Sequence, residues 1–157
     1  MTSKLLSLPA ALGLRRRLKR EGKRVVFTNG VFDLLHPGHV DLLEKARRLG
    51  DCLILGLNQD ASVRLLEKGP DRPINPFKDR AAVLSALACV DAVVGFSQKT
   101  PEALARALRP DVLVKGADYR GRKIAGAAYA GRVALVKLKK GYSTTALLAR
   151  IRSRKSR

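Results

Sequence analysis

Residues 24–39 read RVVFTNGVFDLLHPGH, and this stretch decides the fold. Arg24 to Thr28 is short and β-branched, the composition of a strand. Asn29 and Gly30 end the apolar run. Gly30 can adopt backbone angles that other residues resist, and it lets the chain pass close to a ligand. Pro37 is preset for the first position of a helix. Val40, Leu42, Leu43, Ala46 and Leu49 follow at helical spacing until Gly50. Strand, glycine-bearing loop and helix start in succession make an anion site, because the helix start offers unpaired N–H groups and the positive end of its dipole. Both histidines of the chain, His36 and His39, bracket Pro37 and Gly38 at that start. Gly38 leaves room for a ligand. Two imidazoles there can donate hydrogen bonds to a phosphoryl group as charge develops on it.

The pattern continues in both directions. Apolar runs at Cys52–Leu57, Ala92–Phe96, Asp111–Val114 and Val133–Leu138 read as further strands. Helical spacing recurs after Asp60, from Phe77 to Ala88, from Thr100 (as cap) and Pro101 to Leu108, and from a Ser143 cap through Ile151. Residues 68–76 hold Gly69 and three prolines and read as an irregular loop. Strict alternation predicts an α/β, Rossmann-like, doubly wound parallel sheet of five strands with helices on both faces. Ligands in such sheets bind beyond the carboxyl ends of the strands. The boundaries expected are a basic helical extension over 1–23, one catalytic domain over 24–152 and a basic tail over 153–157.

The 157 residues suffice for one domain with a sizeable core, and 46% of them are apolar. No apolar run reaches the roughly 18 residues of a membrane span, and the first 20 residues do not read as a secretory signal. Cys52 and Cys89 lie in apolar stretches and read as buried free thiols of a cytoplasmic protein. No Cys/His spacing suggests a metal site. The net charge is +19, from 32 Lys and Arg against 13 Asp and Glu. That favours anionic partners. Only 4% of residues are aromatic, which speaks against a single-stranded nucleic acid platform.

Thr28 to His39 resembles the TxGxFDxxHxGH signature of the cytidylyltransferase-like nucleotidyltransferases. Gly141-Tyr142-Ser143-Thr144-Thr145 resembles that family's late G-[IY]-S-T-[TS] element. Within it the chain is most similar to the heptose 1-phosphate adenylyltransferases, through RPINPFKDRAAVLSALACVDAVV, TPEALARALRPDVLVKGADY and GYSTTALLARIR. Ala117 stands where those enzymes usually carry a second glycine, and residues 120–131 form a shorter segment than theirs. The resemblance implies transfer of AMP from ATP to a sugar phosphate, with Mg²⁺ carried by the nucleotide, in a standalone cytoplasmic homodimer without the kinase domain often fused to it.

It also implies residue roles. His36, His39 and Lys115 are the expected catalytic residues. Thr28, Asn29, Gly30, Phe32 and Gly38 are expected at the nucleotide's phosphates, with Asn58, Arg80, Gly116 and Asp118. Tyr142, Ser143, Thr144 and Thr145 are expected at base or phosphate, although Ser143 can equally be a plain cap. Arg80 is expected either at triphosphate oxygens or as a surface arginine. Asp33, Lys68 and Arg72 are expected at the acceptor, with Asp33 alternatively orienting its loop. Lys115 ends the fourth strand and needs an anion, which is either a substrate phosphate or Asp118. Two other functions stay open: transfer to another phosphorylated acceptor (glycerol 3-phosphate, phosphoethanolamine or flavin mononucleotide), and nucleic acid binding on the same fold.

Overall fold

The computed structural model describes residues 4–154. The chain runs through β1 (Leu5–Leu6), α1 (Leu8–Arg20), β2 (Val25–Gly30), α2 (Pro37–Arg47), β3 (Cys52–Asn58), α3 (Asp60–Leu65) and α4 (Phe77–Ser85). It continues through β4 (Ala92–Phe96), α5 (Glu102–Leu108), β5 (Val112–Gly116), two 3₁₀ turns, β6 (Arg132–Val136) and α6 (Thr144–Arg154). The strands form one parallel sheet in the order β1-β4-β3-β2-β5-β6.

The five expected strands are joined by a sixth, because Leu5 and Leu6 pair with Val93 and Val94 along β4. The segment read as a basic extension thus supplies an edge strand and a packed helix. Ala11 and Leu18 of α1 are buried, and Arg15 holds the Leu108 and Arg109 carbonyls and the Asp111 carboxylate. Helix α5 starts at Glu102 with Pro101 as its cap, so Thr100 is not the cap. Helix α3 begins at Asp60 itself, with Gln59 as its cap, rather than after Asp60. Both shifts are of one residue, the ordinary uncertainty of a helix end. Helix α6 extends to Arg154 rather than stopping at Ile151. Of the expected tail, Lys155 to Arg157 lie outside the described residues.

The core occupies both faces of the sheet. On one face Phe27, Ile54, Val94 and Leu113 pack against Ala11 and Leu18 of α1 and Leu104 and Leu108 of α5. On the other Val26, Leu55, Val93 and Val114 pack against Leu43 and Ala46 of α2 and Ala81 and Leu84 of α4. Residues one apart along a strand alternate between these faces, as the pleat requires. Three aspartates occupy the amino ends of the strands. Asp51 accepts from Arg24 N, Asp91 from Leu53 N and Asp111 from Val25 N.

The direction of winding reverses at β2. The chain moves from β2 to β3 to β4 on one side, then crosses to β5 and β6 on the other. A parallel sheet opens a crevice at such a reversal, beyond the carboxyl ends of the two strands. Those ends are Asn29–Gly30 and Lys115–Gly116. Thr28 Oγ1 ties them together by donating to the Val114 carbonyl at 2.9 Å.

Candidate active site

A cavity of about 610 Å³ lies above this reversal. Its walls are the loop after β2, the first turn of α2, the 68–72 loop, Asp118 and the segment from Leu138 to Thr145. The loop after β2 turns sharply. Phe32 has φ 47°, a left-handed conformation that is costly for an aromatic residue and common at functional sites. Its ring covers Gly30 so closely that a Cβ there would lie 2.7 Å from it. At Gly38 a Cβ would lie 3.0 Å from Tyr142 Cβ and 3.1 Å from the His36 ring. Both glycines therefore admit close packing that a side chain would push apart.

His36 is the N-cap of α2, and its Nδ1 accepts from His39 N at 3.4 Å. An accepting Nδ1 carries no proton, so in the neutral ring the proton sits on Nε2. The His36 and His39 rings stack with centroids 3.7 Å apart and planes 15° apart. Phe32 flanks His39 at 5.0 Å. Burial, then the neighbouring His36 and Lys68, pull the His39 pKa down to about 4. Its Nδ1 is buried and has no hydrogen-bond partner among the described residues. Burial lowers the pKa of His36 as well. The pair is thus mainly uncharged at neutral pH and offers N–H dipoles rather than imidazolium charge to the cavity.

Cationic groups complete the site. Lys68 belongs to the lining, and its pKa is lowered by desolvation and by Arg72, against the opposing pull of Asp33. Arg72 Nε contacts Asp33 Oδ2 at 2.6 Å. The Asp33 carboxylate also accepts from Ile74 N and Asn75 N, so it anchors the 72–75 loop. Asp33 also lines the cavity. Lys115 donates to Asn29 Oδ1 at 2.5 Å and lies 5.1 Å from the Tyr119 ring. Burial is the main reason its pKa falls to about 8; Asp118 opposes the shift and Lys68 adds to it. The Lys115–Asp118 ion pair, the alternative to a phosphate partner, is absent among the described residues.

Most of the expected site residues meet in this cavity. Asn29, Gly30, Phe32, His36, Gly38 and His39 line it, as do Asp118, Tyr142, Ser143, Thr144 and Thr145. The Ser143 hydroxyl also caps α6 by accepting from Ala146 N at 3.0 Å. Thr28, Asn58, Arg80, Lys115 and Gly116 do not line it. Thr28 is spent on the β2–β5 tie. Asn58 is buried and donates to Ser62 Oγ. Arg80, 2% exposed, is neither a surface arginine nor a cavity residue. Its guanidinium donates to the Val31, Asn58 and Asn75 carbonyls and to Asp60, which engages four of its five N–H donors and fastens two loops to the strand ends. Gly116 is buried beside Leu138. The sequence reading missed Val31, Leu42, Leu138 and Lys139, which also line the cavity. Leu42 could have been found one helical turn after His39. Lys139 could have been found in the basic run before Gly141, where its ammonium lies 5.5 Å from the Tyr142 ring.

The cytidylyltransferase-like family model matches residues 27–149. Bifunctional protein HldE of Magnetococcus marinus is 57% identical over 143 residues, covering 88% of this chain and 29% of that protein. Bifunctional protein HldE of Gluconacetobacter diazotrophicus is 54% identical over 156 residues, covering 97% and 32%. The chain therefore spans about a third of the length of these relatives. Among solved structures, the lipopolysaccharide core biosynthesis protein of Thermoplasma volcanium is 28% identical, with a TM-score of 0.61 over 78% of this chain and all of that one. The pantoate-beta-alanine ligase of Francisella tularensis, at 16% identity and a TM-score of 0.55, shares the fold over 76% of this chain and 59% of its own.

Proposed function

The chain belongs to the cytidylyltransferase-like family, and on that premise we propose that it is an adenylyltransferase acting on a sugar phosphate. The reaction joins the AMP part of ATP to D-glycero-β-D-manno-heptose 1-phosphate and releases pyrophosphate. The observation that carries this reading is the stacked, uncharged His36–His39 pair at the α2 N-terminus, inside a cavity walled by Lys68 and Arg72. The choice of nucleotide and acceptor rests on the resemblance of the chain's motifs to the heptose 1-phosphate adenylyltransferases, with which its likeness to the bifunctional HldE proteins is consistent.

An oxygen of the acceptor phosphate attacks the α-phosphorus in line. One P–O bond forms, the bond to the β-phosphate bridging oxygen breaks, and pyrophosphate leaves with the electron pair. No proton need move to make an already anionic phosphate a nucleophile. The chain's task is to hold two anions together and to stabilise the added charge. His36 and His39 donate to the oxygens of the reacting phosphorus, aided by the α2 dipole. Lys68 and Arg72 offset the charge of the acceptor.

Magnesium carried by the triphosphate would neutralise its β- and γ-oxygens. No cluster of three acidic, His or Cys side chains suited to a metal occurs among the described residues. The cavity does present the Asp118 carboxylate, which has no hydrogen bond or ion pair there, so the donor set fits an ion held mainly by phosphates. The assembly is read as a cytoplasmic homodimer, which light scattering can check.

Pyrophosphate release, measured for ATP and CTP against a panel of sugar and polyol phosphates, tests the whole reading. The expected best pair is ATP with the heptose 1-phosphate. Faster turnover with CTP for every acceptor would overturn the nucleotide, and preference for another acceptor would overturn the sugar.

A further inference from the structure

Counting on from Phe27↔Leu113 along the parallel strands β2 and β5 sets Asn29 beside Lys115, at the reversal of the sheet. The ammonium of Lys115 has three donors and no acceptor, so the amide that meets it must present oxygen. The contact is Lys115 Nζ to Asn29 Oδ1, at 2.5 Å. The NH₂ group of Asn29 is thereby turned away from Lys115, and it has no hydrogen-bond partner among the described residues. Asn29 lines the cavity, and Lys115 does not. Lys115 makes no ion pair among the described residues.

We propose that Asn29 is the side chain that meets a substrate phosphate here, as an N–H donor, and that Lys115 is the positioning residue that fixes and polarises its amide. This rests on the reading that the cavity takes phosphorylated substrates, but it changes the part played by the strand-end lysine. A cation on Oδ1 draws electron density from the amide and strengthens its N–H donors. A carboxylate at position 29 would hold Lys115 equally well, yet it would repel phosphate and offer no donor. The arrangement also makes phosphate binding sensitive to pH. The groups facing Lys115 are Asn29 on β2, Asp118 and the Tyr119 ring after β5, and Lys68 from its loop. Burial outweighs Asp118, and the ammonium gives up its proton at about pH 8. Above that pH nothing obliges the amide to keep its oxygen turned inward.

Inorganic tripolyphosphate is the probe, bound to the full chain and followed by calorimetry from pH 6 to 10 (about two units either side of the Lys115 transition). Selective ¹³Cε labelling of lysine reports the Lys115 titration without any ligand. Wild-type affinity should hold through neutrality and fall as Lys115 titrates. Asn29→Ala should weaken binding at pH 7 by about tenfold, the scale of one lost hydrogen bond to a charged group. Asn29→Asp, nearly isosteric, should raise the Lys115 midpoint while weakening binding more than Asn29→Ala does. Lys115→Met should weaken binding in the wild-type background and much less in Asn29→Ala. If Lys115 contacts phosphate itself, Asn29→Ala will bind as well as wild type, or Lys115→Met will cost the same in both backgrounds. Either result overturns the proposal, as does a chain that binds no tripolyphosphate. Because the probe needs no acceptor, a chain that shows the coupling yet releases no pyrophosphate would end the catalytic reading alone.

Discussion

His39 concentrates the chemistry and the pH behaviour of the site in one ring. In the proposed reaction its N–H is a preorganised donor to a phosphoryl group, so His39→Ala should lower kcat by about 10²–10³, roughly 2.7–4 kcal/mol, with little change in ATP affinity. Turnover near the wild-type rate would remove it from the mechanism. The same residue sets an acid limit. Its pKa falls from 6.5 in an exposed ring to about 4 here. Between those values the unfolded chain takes up a proton that the folded chain refuses. The stability held above pH 6.5 is therefore lost progressively as pH falls toward 4, and His39→Ala should flatten that part of a plot of Tm against pH. An unchanged slope would place the acid sensitivity elsewhere. Both histidines were legible in the sequence because they sit in a dense local pattern. The fate of Arg80 was not legible. A long side chain in a helix can reach several partners, and only the folded loops show that three carbonyls and Asp60 hold it in place.

At the scale of elements, β2 to β5 could be read directly, because fully buried strands are continuous apolar runs and the helices between them keep their period. Strand β1 could not. Two residues carry no periodicity, and Leu5–Leu6 is a strand only because β4 offers an edge beside it. Helix α1 was legible as a helix but not as part of the core, since its basic residues mask Ala11 and Leu18. Residues 5–20 pack onto the sheet and its helices. Leu18 is 6% exposed, so Leu18→Ala should cost about 2–5 kcal/mol in a urea unfolding curve. A change below about 0.5 kcal/mol, the range of ordinary surface substitutions, would return α1 to the status of an extension. Helix α6 lies at the other extreme. It buries no residue fully, and Leu147 and Ile151 border a shallow cavity with Leu34, Leu35 and Val83. Its position was read from a cap signal at Ser143, which the hydroxyl bond to Ala146 N matches.

For the whole molecule the net charge of +19 is the feature that sequence and site leave largely unspent. A few cations face the cavity, while most of α1's basic residues lie on the opposite, amino-terminal side of the sheet. Random duplex DNA should therefore bind weakly at low salt, lose affinity steeply as salt rises, and leave pyrophosphate release unaltered. Salt-resistant binding in a gel shift would revive a nucleic acid function. The acids are few and partly gathered at one end of the sheet, since Asp51, Asp91 and Asp111 sit at the strand starts, where they accept from backbone amides. That distribution bears on the margins of the sheet. Strand β6, Arg132–Val136, lies at one border with no strand on its outer side, and its RVALV sequence is the kind that recruits a strand from another chain. Arg132 begins it, and Lys137, Lys139 and Lys140 follow it directly. Cations flanking an apolar edge strand are the usual gatekeepers against edge-to-edge aggregation, so charge placed beside β6 guards the open sheet against growth by addition.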